Sequence, residues 1–374
     1  MTRKEYRSAM DDVIYLCGCM VNGDSPDPTR VGKMDLSHLY EAAESHQLTC
    51  MVGYALEAVG IYDDAFVQAK SKAIRKTVLM DAERVAILGA LDNAGIWYMS
   101  LKGIVLKDLY PKIGMRQMAD NDILFDSTRD TEVRSIMESL GYHVKQFDVG
   151  IHDVYHKEPL YNLEMHRALY DPAADEKLSS YYMNAQERLI RDESEKREWH
   201  FSNEDFYLYM VAHEYKHYSH CGTGLRSLLD TYVFLKACYG LLDEAYISEE
   251  AEKMGILDFE RQNRQLSLNL FGKASLSEEN ARMLDYILNS GTYGTESTGI
   301  RNQIRRKGRI SYLFYRVFLT YKKMVRLYPV LKRFPFLLPV FWPVRIIAAL
   351  KNKPDKVMRQ LKGAFLSLDQ EQGF

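Results

Sequence analysis

The sequence is poor in cysteine: Cys17, Cys19, Cys50, Cys221 and Cys238 form an odd, scattered set with no CxxC pair. That pattern excludes a disulfide framework and a zinc knuckle, and it points to a reducing, cytoplasmic setting. Long apolar runs are missing as well. No stretch approaches the roughly 18 to 20 residues that a bilayer crossing requires. The start, MTRKEYRSAMDDVIYLCGCM, puts Asp11 and Asp12 where a secretory leader would be apolar, so it reads as a helix. A dominant charge is also absent: the formal net charge of −2 advertises no nucleic-acid partner.

What is present suffices for a sizeable core. At 374 residues and 43.4 kDa the chain has the length of two or three domains. Residues 1–95 read as helices over about 3–21 and 35–59, followed by a long third helix. In the third, Ile74, Val78, Val85 and Leu88 recur at helical spacing, and Asn93-Ala94-Gly95 supplies a stop. From 96 to 170 the pattern alternates. Strands are expected at 97–101, 118–125, 142–147, 154–158 and 161–169, with a helix at 131–140, which together make a small mixed sheet. Residues 171–300 return to helices, at 175–194, 203–219, 224–240, 243–253, 257–272 and 276–289. The expected fold class is α+β, a small mixed sheet embedded in helical regions from both ends of the chain.

The stretch 97–126, WYMSLKGIVLKDLYPKIGMRQMADNDILFD, carries the chemistry. Gly103 stands where a strand turns into a helix at 104–109, which Pro111 helps to end. Without a side chain, Gly103 lets a ligand approach the helix start and its free N–H groups, and Lys102 adds a mobile positive charge there. On the following strand, period-two geometry puts Asp120 and Asp122 on one face. Paired carboxylates are costly without a cation, and oxygen ligands of this kind suit Mg²⁺ with substrate phosphates. The bland alternative for Asp-x-Asp is a solvated strand edge. In 160–170, LYNLEMHRALY, residues Asn162, Glu164 and His166 share a face. By itself this too reads as a solvated face.

Leu101-Lys102-Gly103, Leu109-Tyr110-Pro111, Arg116 and Asp120-Asn121-Asp122-Ile123-Leu124 resemble the bacterial family of uncharacterised nucleotidyltransferases, within the polymerase-β-like nucleotidyltransferase superfamily. Asn121 and Ile104 depart from that pattern, which has an apolar residue between the aspartates and a small or hydroxyl residue after the glycine. The resemblance implies Glu164 as a third carboxylate. It also implies two Mg²⁺ ions, with Mn²⁺ as the substitute, on Asp120, Asp122 and Glu164. The reaction would transfer a nucleoside monophosphate from an NTP to an acceptor hydroxyl. The acceptor is unspecified, with a weak preference for a glycan-pathway or small-molecule substrate. Lys102, Gly103, Arg116 and His166 would bind nucleotide or substrate. His213, His217 and Arg226, beside the run Leu225-Arg226-Ser227-Leu228-Leu229-Asp230, resemble the family's downstream helical pair and would join them. Their bland reading is packing histidines and an Arg226 to Asp230 helix pair.

Two other readings compete. His213-Glu214-Tyr215-Lys216-His217 satisfies HExxH, the helical zinc-peptidase pattern, with Glu244 at a distance where a third ligand could come from. At the carboxyl-terminal end, residues 301–362 carry 17 Lys and Arg against the single acid Asp355, interleaved with aromatics. Such a segment suits peripheral contact with an anionic membrane over 301–363, or the basic surface of a non-catalytic membrane-associated or protein-binding module. Its bland reading is an apolar face packed on helices with the charges left in water. Residues 301–374 are therefore set apart as a fourth region.

Overall fold

The computed structural model describes residues 1–172, 175–191, 196–292, 294 and 296–352. Five helices precede the sheet: α1 (Arg3–Asn22), α2 (Pro28–Val31), α3 (Leu36–Ser45), α4 (Thr49–Ala58) and α5 (Asp64–Asn93). Helix α1 opens with a capping box, in which Thr2 Oγ1 accepts from the Glu5 amide and Glu5 accepts from the Thr2 amide. The single helix expected at 35–59 is two. The chain leaves α3 at His46, passes through Gln47 at φ 56° and re-enters a helix at Thr49. His46 is needed elsewhere: its Nδ1 accepts from the Leu225 amide at 3.0 Å.

The long helix α5 has the expected extent but a different inner face. Phe66, Thr77, Met80, Ile87 and Leu91 are buried, whereas Val78 and Val85 are exposed. From Thr77 on, the inner set keeps helical spacing but is shifted by two to three positions, because the sheet and α4 pack on that side.

Against α5 lies a five-stranded sheet formed by β1 (Tyr98–Ser100), β2 (Asn121–Phe125), β3 (His143–Gln146), β4 (His152–Lys157) and β5 (Tyr161–His166). Helix α6 (Lys102–Leu106) follows β1, and α7 (Asp130–Ser139) follows β2. The strand order is β1-β2-β5-β4-β3, with β2 and β5 parallel and every other pair antiparallel. The expected mixed sheet is therefore present. Ile123, Phe125, Leu163, Met165 and Tyr155 face α5 and α7 in one apolar core with Met80, Ile87, Leu91, Val133 and Met137. Asn121, on the same face, is satisfied there: Nδ2 donates to Met80 O at 3.3 Å and Oδ1 accepts from Arg84 at 3.3 Å. The polar departure from an apolar strand position is thus absorbed by α5.

Past the sheet, the expected helix at 175–194 is replaced by α8 (Glu176–Tyr181), a single 3₁₀ turn and a small hairpin of β6 (Ile190–Arg191) and β7 (Trp199–His200). Residues 192–194 of that expectation lie outside the described residues. The chain turns back because its next segment covers the sheet edge. The Tyr98 amide donates to Arg197 O at 3.0 Å, and Trp199 packs on Trp97 with ring centroids 5.5 Å apart. Then follow α9 (Asn203–His220), α10 (Leu225–Ala237), α11 (Glu244–Met254), α12 (Leu257–Phe271) and α13 (Glu278–Leu288), close to expectation.

The chain divides into two compact units, residues 1–216 with 224–292, and residues 217–223 with 293–374. The second contains α14 (Glu296–Lys307), α15 (Arg309–Val317), α16 (Tyr321–Leu327) and α17 (Leu338–Asn352). Ile300 and Tyr312 form a small core there, and Trp342 donates to Leu319 O at 2.9 Å while meeting Phe318 edge-on. No helix among the described residues is long and apolar enough to cross a membrane.

Candidate active site

The face of the sheet turned away from α5 carries the carboxylates. Parallel pairing sets Asp122 directly opposite Glu164, and Asp120 ends the extended approach to β2 two residues earlier. Burial and the neighbouring Asp122 and Glu164 charges push the Asp120 carboxyl up to about 7, against the pull of Lys76 and Arg226. Three acids that repel one another this strongly have the donor chemistry of a divalent-cation site, with oxygens supplied from two adjacent strands.

Glu164 has histidines on both flanks. His166 Nε2 lies 3.3 Å from Asp122 Oδ1 and 3.6 Å from Glu164 Oε2, and His152 Nε2 lies 3.5 Å from the same Glu164 oxygen. Antiparallel pairing of β4 and β5 brings His152 opposite His166. The expected shared face of Asn162, Glu164 and His166 is thus present. His152 was missed because β4 was expected to begin two residues later, at 154.

Basic and aromatic groups from helices complete the surroundings. Lys76 of α5 donates to Ala119 O at 2.9 Å, and burial lowers its pKa while Asp120 opposes that shift. On α9, Tyr209, His213 and Lys216 follow at i, i+4 and i+7, which is one helix face. Burial lowers the Lys216 pKa against the opposing pull of Asp122 and Glu164, and burial followed by Asp122 raises Tyr209. The His213 ring sits 6.2 Å from that of Tyr209. Lys216 was concealed inside the HExxH pattern, and nothing in the spacing around Lys76 marked it.

The glycine turn opens the segment before β2. Helix α6 starts at Lys102, so Gly103 lies within its first turn. A Cβ on Gly103 would stand 3.1 Å from Arg116 NH1 and 3.2 Å from Met118 Cε, so the missing side chain makes room for Arg116. Lys102 is half-buried. Burial lowers its pKa, opposed by Asp230 and Glu214. Arg116 is buried and forked onto Asp230, with Nε to Oδ1 at 2.8 Å and NH2 to Oδ2 at 2.9 Å, and Tyr110 donates to the same carboxylate at 2.8 Å. Burial alone would raise Asp230, yet Arg116 holds it below its ordinary value.

The anticipated Arg226 to Asp230 pairing is therefore not the one formed. Arg226 instead donates to Gln47 Oε1 and, at 3.1 Å, to Gln117 O. Its charge still acts on Asp120, so it belongs to the rim of the carboxylate group. His46 is a structural group. It is fully buried, with Nδ1 capping α10 and Nε2 3.0 Å from the Tyr6 hydroxyl, and burial lowers its pKa to about 4.

The HExxH segment lacks the peptidase arrangement. Glu214 is buried, accepting from Asn263 Nδ2 at 3.1 Å and Thr231 Oγ1 at 3.5 Å, so it faces the helical core and cannot activate a water on a metal held by its neighbours. Glu244 is paired with Arg264, and His217 is exposed in the second unit. Among the described residues, the group of three ligands close enough to hold a metal is His152, Glu164 and His166.

The profile of a family described as uncharacterised nucleotidyltransferase matches residues 32–272. No curated protein matches the sequence significantly. Among solved structures, the solution structure of the antibiotic-resistance factor ANT(2'')-Ia is similar at 15% identity, over 53% of this chain and 98% of its own, with a TM-score of 0.33. That likeness is too slight to carry over a role for any residue.

Proposed function

The chain belongs to the uncharacterised nucleotidyltransferase family, and from that membership we propose that it transfers a nucleoside monophosphate from an NTP to an acceptor hydroxyl at Asp120, Asp122 and Glu164. The carrying observation is the cross-strand meeting of Asp122 with Glu164 beside an Asp120 whose carboxyl the other two push up to about 7. The three residues would hold magnesium, two ions in the fullest form, with manganese as the substitute. The bound cation would neutralise the triphosphate and acidify the acceptor hydroxyl. Glu164, with a side chain 29% exposed, is open enough to take the acceptor proton as that oxygen bonds to the α-phosphorus and the bond to the leaving pyrophosphate breaks. His152 and His166 hold the Glu164 carboxylate from either side. Lys76, Lys216 and Arg226 supply positive charge beside the acids, where a triphosphate would lie. Lys102, Gly103 and Arg116 position the approach to β2 through Asp230 and have no direct contact with phosphate in this reading.

The deciding experiment is calorimetric titration of the full chain with a non-hydrolysable NTP, with and without Mg²⁺, beside Asp120→Ala/Asp122→Ala. Binding that needs the metal and disappears in the variant supports the proposal. No binding by the wild type at millimolar nucleotide refutes it. The acceptor preference stays with a small-molecule or glycan-pathway hydroxyl.

A second reading concerns the second unit. Ile310, Phe314, Phe336, Val340 and Ile347 are 84, 63, 74, 56 and 65% exposed, in a segment whose charged residues are almost all basic. Residues 353–363 of the expected membrane-contacting segment lie outside the described residues. Exposed apolar side chains among basic ones suit an anionic bilayer surface, where each basic residue contributes about 1 kcal/mol. Co-sedimentation with phosphatidylglycerol vesicles but not phosphatidylcholine vesicles, reduced by Phe314→Asp/Phe336→Asp, is the expected result. Equal recovery from both vesicle types would remove this reading.

A further inference from the structure

The transfer reading uses Glu164 as one of three acids and leaves two imidazole nitrogens aimed at it without a chemical role of their own. The donor atoms of His152, Glu164 and His166 all lie within 4.8 Å of one another. The two Nε2 to Oε2 separations are 3.5 and 3.6 Å, and Asp122 Oδ1 stands 3.3 Å from His166 Nε2. Ligands bonded at about 2.1 Å around one ion stand roughly 3.0 to 3.4 Å apart, so little movement would bring these atoms into a coordination sphere. The backbone builds this arrangement: adjacent antiparallel strands place His152 opposite His166, and Glu164 precedes His166 by two residues on the same face. The side chains are 31, 29 and 14% exposed in the order His152, Glu164, His166, which leaves an entry for an ion and for water ligands.

We propose that His152, Glu164 and His166 form a mixed nitrogen and oxygen cation site, distinct from the all-carboxylate one, that takes a divalent transition-metal ion of the Mn²⁺ and Co²⁺ class in preference to Mg²⁺. Magnesium demands oxygen donors and dehydrates reluctantly, whereas imidazole suits the transition metals. Glu164 would be the ligand that the two sites share, with Asp122 opposite it in the strand register. The proposal touches the transfer reading only through Glu164, and its test uses no nucleotide.

The test is Mn²⁺ titration of the full chain followed by electron paramagnetic resonance, with pulsed detection of nitrogen coupling. Wild type is expected to bind Mn²⁺ with imidazole nitrogen coupling that a hundredfold excess of Mg²⁺ does not abolish. His152→Ala/His166→Ala is expected to lose the coupling and to weaken Mn²⁺ binding at least tenfold. Asp120→Asn is expected to keep the coupling. Manganese bound without nitrogen coupling, ready displacement by Mg²⁺, or unchanged affinity in the double histidine variant would each overturn the site. The wild-type spectrum decides even where the double variant fails to fold. Nitrogen-coupled manganese without Mg²⁺-dependent NTP binding would sink the transfer reading alone, and intact NTP binding without the coupling would sink this site alone.

Discussion

Asp120→Asn should make the metal-free protein more stable at pH 8 and leave it unchanged near pH 4. The folded-state carboxyl titrates at about 7 against an ordinary 3.8, so the folded chain holds its proton longer than the unfolded chain does. The sign follows from linkage: Asp120 costs nothing below about 3.8, and its cost grows as the pH rises through the window to about 7. A displacement of about 3 units at 1.36 kcal/mol each gives about 4 kcal/mol as an upper bound. Asp122 and Glu164 share the repulsion and the site is partly solvated, so about half of that, ~2 kcal/mol, is the expected gain from asparagine. For a unit of this size that is roughly 4 °C in melting temperature. The assay is thermal unfolding of both proteins in chelator across pH 4 to 8. His46 works in the opposite sense: held at about 4 against an ordinary 6.5, it contributes stability that is present above 6.5 and lost as the pH falls. The wild-type curve alone would therefore be flattened, and only the difference between the two proteins isolates Asp120. A variant no more stable than wild type at pH 8, or equally stabilised at pH 4, would refute the reasoning. Added Mg²⁺ should raise the wild-type melting temperature at pH 8 more than that of the variant.

Other expectations rest on groups away from the carboxylates. His46→Ala removes the cap on α10 and the partner of the Tyr6 hydroxyl, and should cost about 2 kcal/mol at pH 8, with a shallower loss between pH 6.5 and 4 in denaturant titrations. Arg116→Met strands Asp230 in the interior and should cost about 3 to 5 kcal/mol by the same measurement, whereas an arginine that served phosphate alone would cost stability little. His213→Ala should leave the metal content measured by plasma emission unchanged, because Glu214 and Glu244 are engaged elsewhere. Stoichiometric zinc lost with that substitution would restore the peptidase reading.

The sheet was legible because alternation is a local signal, and the same period put Asp120 with Asp122 and Glu164 with His166 on their faces. That the strand of Glu164 would lie beside that of Asp122 came from the family resemblance, and its parallel direction only from the structure, since no local pattern announces a pairing across some forty residues. Charge partnership is not legible in this way. Lys102, Gly103 and Arg116 stand together in the sequence as a phosphate-binding turn would, but Asp230, more than a hundred residues later, claims the arginine. A buried carboxylate and an exposed one look alike in sequence, and only packing separates them. His152 was lost to a two-residue error at a strand start, the part of an element that periodicity defines least well. The inner face of α5 was missed for a related reason: its apolar residues go almost all the way round, and the neighbours choose among them.

The fork of Arg116 on Asp230 bears on the order in which the chain is made. A ribosome releases α5 before the strands, so the apolar back of the sheet has a wall to condense on as each strand emerges. The front is different. Until residue 225 has cleared the exit tunnel, His46 has no amide to cap, and until residue 230 follows, the guanidinium at 116 has no carboxylate to receive it. The nascent protein would therefore carry a finished rear wall and an unset loop before β2 for more than a hundred codons, a window in which a translational pause after α9 would expose the sheet's acidic face to whatever cations the cell supplies.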